Sequence, residues 1–164
     1  MTQWLTRDQQ QHWRAYIAAT TLLGERLSRE LQAAHGISMA DYEILVRLSE
    51  APDRRLRMSQ LAEHTLASRS RLSHQVDRLE KVGLVERTPC VEDRRGANAV
   101  LTEKGWTLLV EAAPTHVEGV REHFVDQLTP EQFAGVGDAL AVVAAHLQGM
   151  QPDCETAEAG ALTD

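Results

Sequence analysis

Residues 58–105 carry the pattern that most constrains the fold. Ser59 and Ser68 are expected N-caps of two short helices. The second helix has apolar residues at spacings of four, three and three, which predict one buried stripe: Leu72, Val76, Leu79 and Val82. Gly83 suits a helix end. Residues 84–88 and 98–101 predict two strands around a charged turn. Helix, turn, helix, strand, loop and strand in this order predict a winged helix-turn-helix.

The second of these helices presents a basic polar face. Its members are Arg69, Ser70, Arg71, Ser73, His74, Arg78 and Lys81. Arginine pairs well with guanine in the major groove of double-stranded DNA, whereas serine, histidine and lysine are less selective. We expect Arg71, Ser73 and His74 to lie near base edges, and Arg69, Arg78 and Lys81 near phosphates. A solvated helix face is the alternative for each. Asp77 is expected to pair with Lys81 four residues later.

Charge is distributed unevenly along the chain. The 164 residues have a formal net charge of -7, which argues against a nonspecific nucleic-acid coat protein. Residues 54–96 nevertheless hold ten Lys and Arg against six Asp and Glu, a net of +4 that leaves -11 for the remainder. Local positive charge is enough to steer phosphates. A basic segment on an acidic body therefore favours DNA binding from one side.

Three motifs in this part of the chain resemble the signature of MarR-type transcriptional regulators. They are LEKVGLVER at 79–87, EDRR at 92–95 and VLTEKG at 100–105, and the similarity in element order spans residues 6–147. The resemblance implies a dimeric winged-helix repressor on a pseudo-palindromic operator. It also implies that Arg95 in the wing enters the minor groove and that Asp93 braces the loop. Arg94 is a second candidate for the minor-groove contact, and the choice between the two arginines stays open.

Long amphipathic helices are predicted on both sides of the winged segment. Their apolar faces could pack within one chain or against a second copy, and the resemblance implies that the terminal helices of two subunits form a homodimer. The expected class is mainly α with a small β-hairpin wing. We assign an N-terminal dimerisation helix to 1–36, the DNA-binding domain to 37–101, C-terminal dimerisation helices to 102–148 and a disordered acidic tail to 149–164.

Aromatic residues outside the winged segment suggest a site for a regulatory ligand. Many members of the resembled family release DNA when a small aromatic or phenolic acid binds beside the dimer helices. Trp13, Tyr16 and Tyr42 could stack on such a ring, and Arg14 could neutralise its carboxylate. Helical spacing also makes Trp13 and Tyr42 candidates for ordinary core residues, and that alternative stays open.

Two other kinds of regulation have weaker support in the sequence. Oxidation of Cys90, beside the wing, would make the protein a redox-responsive regulator, although Glu92 and Asp93 disfavour a thiolate there. His116 and His123 are seven residues apart on one helix face. A zinc site needs about four ligands, so no metal is expected, and no other cofactor is implied.

The remaining functional classes are mostly excluded by missing motifs. The chain has no glycine-rich phosphate loop, nucleophile elbow or zinc-protease motif, so no enzymatic activity is expected. A winged-helix protein–protein adaptor without specific DNA binding is an alternative that the basic face argues against. No apolar run is long enough for a membrane span, no secretory signal is evident, and only two cysteines occur, which together predict a cytoplasmic protein.

Overall fold

The structure is a computed structural model that describes residues 1–90 and 96–149. Its elements are α1 (Arg7–His35), α2 (Met39–Glu50), β1 (Arg55–Arg57), α3 (Met58–His64), α4 (Arg69–Lys81), β2 (Val85–Pro89), β3 (Ala97–Leu101), α5 (Glu103–His123) and α6 (Pro130–Gln148). Short 3-10 turns lie at Pro52–Arg54 and Val125–Gln127. The predicted class, mainly helical with a small β wing, is confirmed. The chain divides into two compact units, Met1–Phe124 and a second that begins at Val125.

The wing is part of a three-stranded antiparallel sheet with the order β1-β3-β2. Val85 of β2 pairs with Leu101 of β3, and Arg87 pairs with Ala99 two residues further along. Because side chains alternate along a strand, Val85 and Arg87 project from the same face of β2. Val85, Ala99 and Leu101 are buried, so this face is turned toward the core of the first unit.

Polar N-caps fix the starts of most helices. Thr6, Ser38 and Thr129 form capping boxes with Gln9, Asp41 and Gln132, in which each side chain satisfies a backbone N–H of the other residue. The prediction that Ser59 caps α3 is wrong. Strand β1 leads directly into α3, and the side chain of Gln60 accepts from the backbone N–H of Arg57 at 3.3 Å, so the helix begins earlier.

The end of α4 is a Schellman motif centred on Gly83. The Leu84 N–H donates to the Leu79 carbonyl and the Gly83 N–H to the Glu80 carbonyl, each at 2.9 Å, and Gly83 has a φ of 75°. The chain turns here, so Leu84 enters the core. Val82, predicted in the buried stripe, is instead 49% exposed because the helix ends one residue before it.

The core of the first unit lies where α1, α2, α3, α4 and α5 meet the sheet. Its most completely buried large side chains are Leu31, Ile44, Leu45, Leu48, Leu61, Leu72, Leu79, Val76 and Val85. Gly105, in the first turn of α5, has its Cα against the Leu84 carbonyl oxygen, and a Cβ there would overlap that oxygen. The close approach anchors α5 to the segment that joins α4 and β2.

The second unit contains α6, whose apolar residues are exposed. They recur at spacings of three and four along one side of the helix: Phe133, Val136, Leu140, Val143 and Leu147. The N-terminal part of α1 likewise exposes apolar side chains, among them Trp13, Tyr16, Ile17 and Leu22. The division into two compact units at Val125 does not test the predicted segment boundaries at 36 and 101. Residues 150–164 of the predicted tail lie outside the described residues.

Candidate nucleic-acid interface

Helix α4 carries the predicted basic face on one side and packs into the core with its opposite side. Ser68 caps the helix by accepting from the Arg71 N–H at 3.3 Å. Leu72, Val76 and Leu79 are at most 2% exposed and bury one stripe. Of the predicted basic face, the residues left exposed are Arg69, Ser70, Arg71, His74, Arg78 and Lys81, and Ser73 is half-buried. The N-terminal half of α4 therefore presents an exposed cluster of basic and hydroxyl groups.

Arg78 has an intramolecular partner that the sequence pattern did not indicate. Its Nη2 donates to Asp41 Oδ1, and Asp41 is only 5% exposed. Asp41 also accepts from the backbone N–H and the hydroxyl of Ser38, at 3.0 and 2.7 Å. The pair ties α4 to the N-terminus of α2, although more than half of the Arg78 side chain is still exposed. Arg78 thus reaches solvent while it is anchored at one end.

A polar network beside the candidate interface centres on Arg87 of β2. Its Nη2 donates to the carbonyl and hydroxyl oxygens of Ser73, at 3.0 and 3.3 Å. Its Nη1 donates to Glu80 Oε2 at 3.1 Å and to Asp77 Oδ1. The prediction that Asp77 pairs with Lys81 is wrong, because the planar guanidinium of Arg87 reaches the carboxylate across the helix–strand interface.

Arg87 was missed because its role depends on the sheet. The Arg87 hydrogen bond holds the pKa of Asp77 below its ordinary value. A usable signal was present: Val85 and Arg87 share one strand face, and two carboxylates stand three residues apart on the preceding helix at Asp77 and Glu80. Opposite charges on adjacent elements would have suggested the pair.

The wing flanks the interface on the β2–β3 side. Pro89 pairs with Ala97, and the Cys90 N–H donates to the Gly96 carbonyl at 3.0 Å, which closes the hairpin at its base. The predicted wing residues Asp93, Arg94 and Arg95 lie outside the described residues. Cys90 itself is only 8% exposed, so burial limits the access of an oxidant to its sulfur.

The predicted effector residues do not come together in the described chain. Trp13 and Tyr16 stack with ring centroids 5.7 Å apart, and Trp13 and Arg14 line a shallow groove on α1. Tyr42 is buried against His116, with ring centroids 4.6 Å apart. His35, whose ring bonds to Thr115 of α5, lies about 33 Å along α1 from Trp13 at 1.5 Å per residue. Tyr42, beside His116, is therefore remote from the other three. The core alternative holds for Tyr42, whereas Trp13 is 54% exposed.

The two histidines considered as metal ligands each have a different neighbour in the fold. His116 packs on Tyr42, and His123 Nε2 lies 2.8 Å from Glu30 Oε1. That hydrogen bond lowers the pKa of Glu30 from its ordinary value. Across residues 1–90 and 96–149, no group of three or more His, Cys, Asp or Glu is arranged to hold a metal ion. None of the described helices is long and apolar enough to cross a membrane.

Comparison with known proteins assigns the family. The profile of the MarR family matches residues 35–96, which include α3, α4 and β2. AbsC, a MarR family transcriptional regulator from Streptomyces coelicolor, is 48% identical over 90% of this chain and 99% of its own, with a TM-score of 0.85. This chain belongs to the MarR family. The MarR family consists of transcriptional regulators, so the expectation that the protein is not an enzyme is confirmed.

Two further MarR-family proteins extend the comparison. Sco3205 from S. coelicolor, solved in complex with DNA, is 46% identical over 93% of this chain and 94% of its own, with a TM-score of 0.87. The regulator PecS of Dickeya dadantii (strain 3937) is 30% identical over 108 residues, which are 65% of this chain. The chain spans just under two thirds of PecS, at 64% of its length.

Proposed function

We propose that this protein is a sequence-specific transcriptional regulator that acts in the cytoplasm and represses transcription by binding double-stranded DNA. The exposed N-terminal half of α4 carries the proposal. Arg69, Arg71 and His74 project from a helix whose opposite side is locked into the core. Such a helix can enter a major groove, where an arginine donates to guanine O6 and N7. DNA in the crystal of Sco3205 is consistent with this use of the fold.

The proposed active form is a homodimer on a pseudo-palindromic operator. The exposed apolar side chains of α1 and of α6 would each be covered by a second copy of the chain. A closed two-fold dimer uses the same surface on both subunits. It would present two α4 helices to successive major grooves, about 34 Å apart. The operator would then contain two inverted half-sites.

The wing is proposed to add a minor-groove contact. Arg95 is the first candidate and Arg94 the second, with Asp93 bracing the loop. A narrow A/T-rich minor groove concentrates negative potential and attracts arginine. We expect Arg95→Ala to weaken operator binding at least about tenfold, a loss of at least about 1.4 kcal/mol that lies within the range of about 1–3 kcal/mol for one arginine contact to DNA. Retained affinity in Arg95→Ala at physiological salt would reject this assignment, and the same titration with Arg94→Ala would show whether the neighbouring arginine makes the contact.

A small aromatic or phenolic acid is proposed as the effector that releases DNA. The stacked rings of Trp13 and Tyr16, with Arg14 beside them, offer an aromatic surface and a cation for a carboxylate. Salicylate should raise the unfolding temperature of the wild type and lower its operator affinity, and Arg14→Gln should remove both effects. Arg29→Gln, an exposed change on the same helix, is the control. If neither salicylate nor a related acid stabilises the protein, the effector proposal for Trp13, Arg14 and Tyr16 is rejected, and these residues belong only to the proposed dimer surface.

The deciding experiment is a titration of the protein against the DNA upstream of its own gene. We expect tight binding that weakens steeply between about 50 and 200 mM salt, because several phosphate contacts release counterions. Arg71→Ala should weaken specific binding by about 5- to 150-fold, the range of one base-contacting arginine. Arg29→Ala removes an exposed arginine from α1 and should have little effect. An adaptor without DNA binding would show no preference over random DNA in this titration or in a selection from random sequences.

A further inference from the structure

Ser73 is the one candidate base-reading residue whose hydroxyl already has a protein partner. Arg87 Nη2 donates to Ser73 Oγ at 3.3 Å and to the Ser73 carbonyl at 3.0 Å. The other side of the guanidinium is bound by Glu80 and Asp77, and Arg87 is only 24% exposed. Both terminal nitrogens of Arg87 therefore donate to α4, which leaves the guanidinium poorly placed to contact DNA itself. Any influence of Arg87 on DNA binding is therefore indirect and acts through the α4 residues that it contacts.

The contact restricts what the Ser73 hydroxyl can do. A serine hydroxyl can donate one hydrogen bond and accept others, so an isolated serine can face a donor or an acceptor on a base. Here one lone pair of Oγ accepts from a cation. In the part of the chain that the structure describes, the hydroxyl proton of Ser73 has no acceptor. A second lone pair is also left, but the cation that donates to Oγ polarises the hydroxyl, so the proton becomes a stronger donor and the oxygen a weaker acceptor toward a partner outside the protein.

We propose that Arg87 is a positioning residue that sets the base preference of Ser73. With Arg87 in place, Ser73 acts as a donor toward DNA and selects a base edge that accepts, such as purine N7, guanine O6 or thymine O4. Cytosine presents its N4 amino group, a donor, and is disfavoured at that position. The inference rests on the proposed DNA-binding function and adds a specificity determinant that lies in the wing strand rather than on the reading helix.

The hydrogen bonds to Ser73 and to the two carboxylates require the guanidinium group of an arginine. Its planar fork donates to Ser73 with one nitrogen and to the carboxylates with the other. A lysine would keep the positive charge beside Asp77 and Glu80, but a single ammonium group cannot reproduce the fork. Arg87→Lys therefore separates the polarity of Ser73 from the neutralisation of the two acids.

The test measures base preference and not affinity alone. Binding sites are selected from random DNA with the wild type, Arg87→Lys, Ser73→Ala and the double variant, and single-base changes are then measured by competition. We expect the wild type to disfavour cytosine at one position per half-site by about 3- to 10-fold, the range of one neutral hydrogen bond. Arg87→Lys and Ser73→Ala should each relax preference at that position only, and the double variant should relax it no further.

Arg55→Lys is the matched control. Arg55 is an exposed arginine on β1, at the opposite edge of the same sheet, and its replacement should leave the preference unchanged. Unfolding midpoints of all variants establish that they are folded. A uniform loss of affinity at every position in Arg87→Lys, with base preferences intact, would overturn the inference and leave Arg87 as a brace. An effect of Arg87→Lys that persists in the Ser73→Ala background would also overturn it. A wild type without any sequence preference would instead overturn the proposed function itself.

Discussion

At the scale of single residues, Gly105 shows why one position in the motif at 100–105 has to be glycine. The requirement for glycine comes from the lack of space around Gly105 and not from its φ. The Leu84 carbonyl oxygen and the Leu101 side chain occupy the volume that a Cβ would need. The carbonyl belongs to the backbone and is itself bound by the Thr102 N–H at 3.2 Å, so it cannot move aside easily.

Replacing this glycine gives a sharp prediction. Gly105→Ala should lower the free energy of unfolding by about 1–3 kcal/mol, because overpacking forces the backbone of α5 away from Leu84. Gly24→Ala is the matched control, since Gly24 is also helical but has open space around it and alanine should stabilise that helix by about 0.5–1 kcal/mol. Urea unfolding of both variants measures the difference. Equal stability of the two variants would contradict the steric argument.

His116 gives a prediction about pH. Its ring packs on Tyr42, its Nδ1 is buried without a hydrogen-bond partner, and burial lowers the pKa of His116 below its ordinary value. The unfolded chain therefore binds the proton more readily than the folded protein does. The stability associated with neutral His116 is complete above the unfolded pKa, about 6.5, and is lost progressively as the pH falls below that value.

The measurement compares unfolding temperatures between pH 7 and pH 5. The wild type should lose stability more steeply than His116→Phe, which keeps a ring against Tyr42 and cannot titrate. His64→Phe, a change at an exposed histidine, should retain the wild-type slope. Parallel curves for the wild type and His116→Phe would show that His116 does not take up the proton on unfolding.

At the scale of elements, the cap of α5 links three parts of the winged segment. Thr102 Oγ1 accepts from the Gly105 N–H at 3.0 Å and donates to the Gly83 carbonyl at 2.8 Å. The same hydroxyl thus starts α5 and holds the turn that ends α4. One side chain thus joins the end of α4 to the start of α5.

Removal of the Thr102 hydroxyl should lower the stability of the folded protein. We expect Thr102→Val to lower the free energy of unfolding by about 1–2 kcal/mol, the upper part of the range for a lost N-cap. Thr107→Val removes a hydroxyl from the exposed side of the same helix, where it donates only to the Glu103 carbonyl, and should change stability by at most a few tenths. Thermal unfolding of the two variants side by side tests this, and a similar small change in both would count against the bridging role of Thr102.

Element boundaries also show what the sequence can predict. Caps at Thr6, Ser38, Thr102 and Thr129 were predictable because capping depends on residues within one turn. The Arg87 network was not, because it joins a helix and a strand whose alignment depends on the whole sheet. The same is true of the Arg78–Asp41 pair, which spans 37 positions in sequence. Local sequence signals thus indicate where the candidate interface lies, whereas the hydrogen bonds and ion pairs within it become visible only in the folded structure.

At the scale of the whole molecule, the exposed apolar stripe of α6 predicts self-association. Leu140 and Val143 lie within the stripe, and a carboxylate there would be desolvated in a dimer. We expect Leu140→Glu and Val143→Glu each to weaken dimerisation at least about 30-fold, as for a hot-spot residue. Operator affinity should fall with the dimer, and helix content by circular dichroism should be retained.

Val142→Glu is the control for this prediction. Val142 is 72% exposed and lies off the stripe, so the same substitution there should leave assembly unchanged. Sedimentation velocity over a range of protein concentrations provides the measurement. A wild type that sediments as a monomer at every concentration, or three variants that behave alike, would show that the stripe is not the dimer surface.

The closure of the hairpin below its loop has a consequence for engineering. Strand pairing reaches Pro89 and Ala97, and the Cys90–Gly96 hydrogen bond seals the base, while α5 is fixed separately by Thr102 and Gly105. The length of the loop is therefore decoupled from the position of α5 and of α4. Loops from other MarR-family proteins could replace the segment between Cys90 and Gly96 without shifting α4 or α5, and such exchanges would test the proposed minor-groove contact separately from the proposed role of α4.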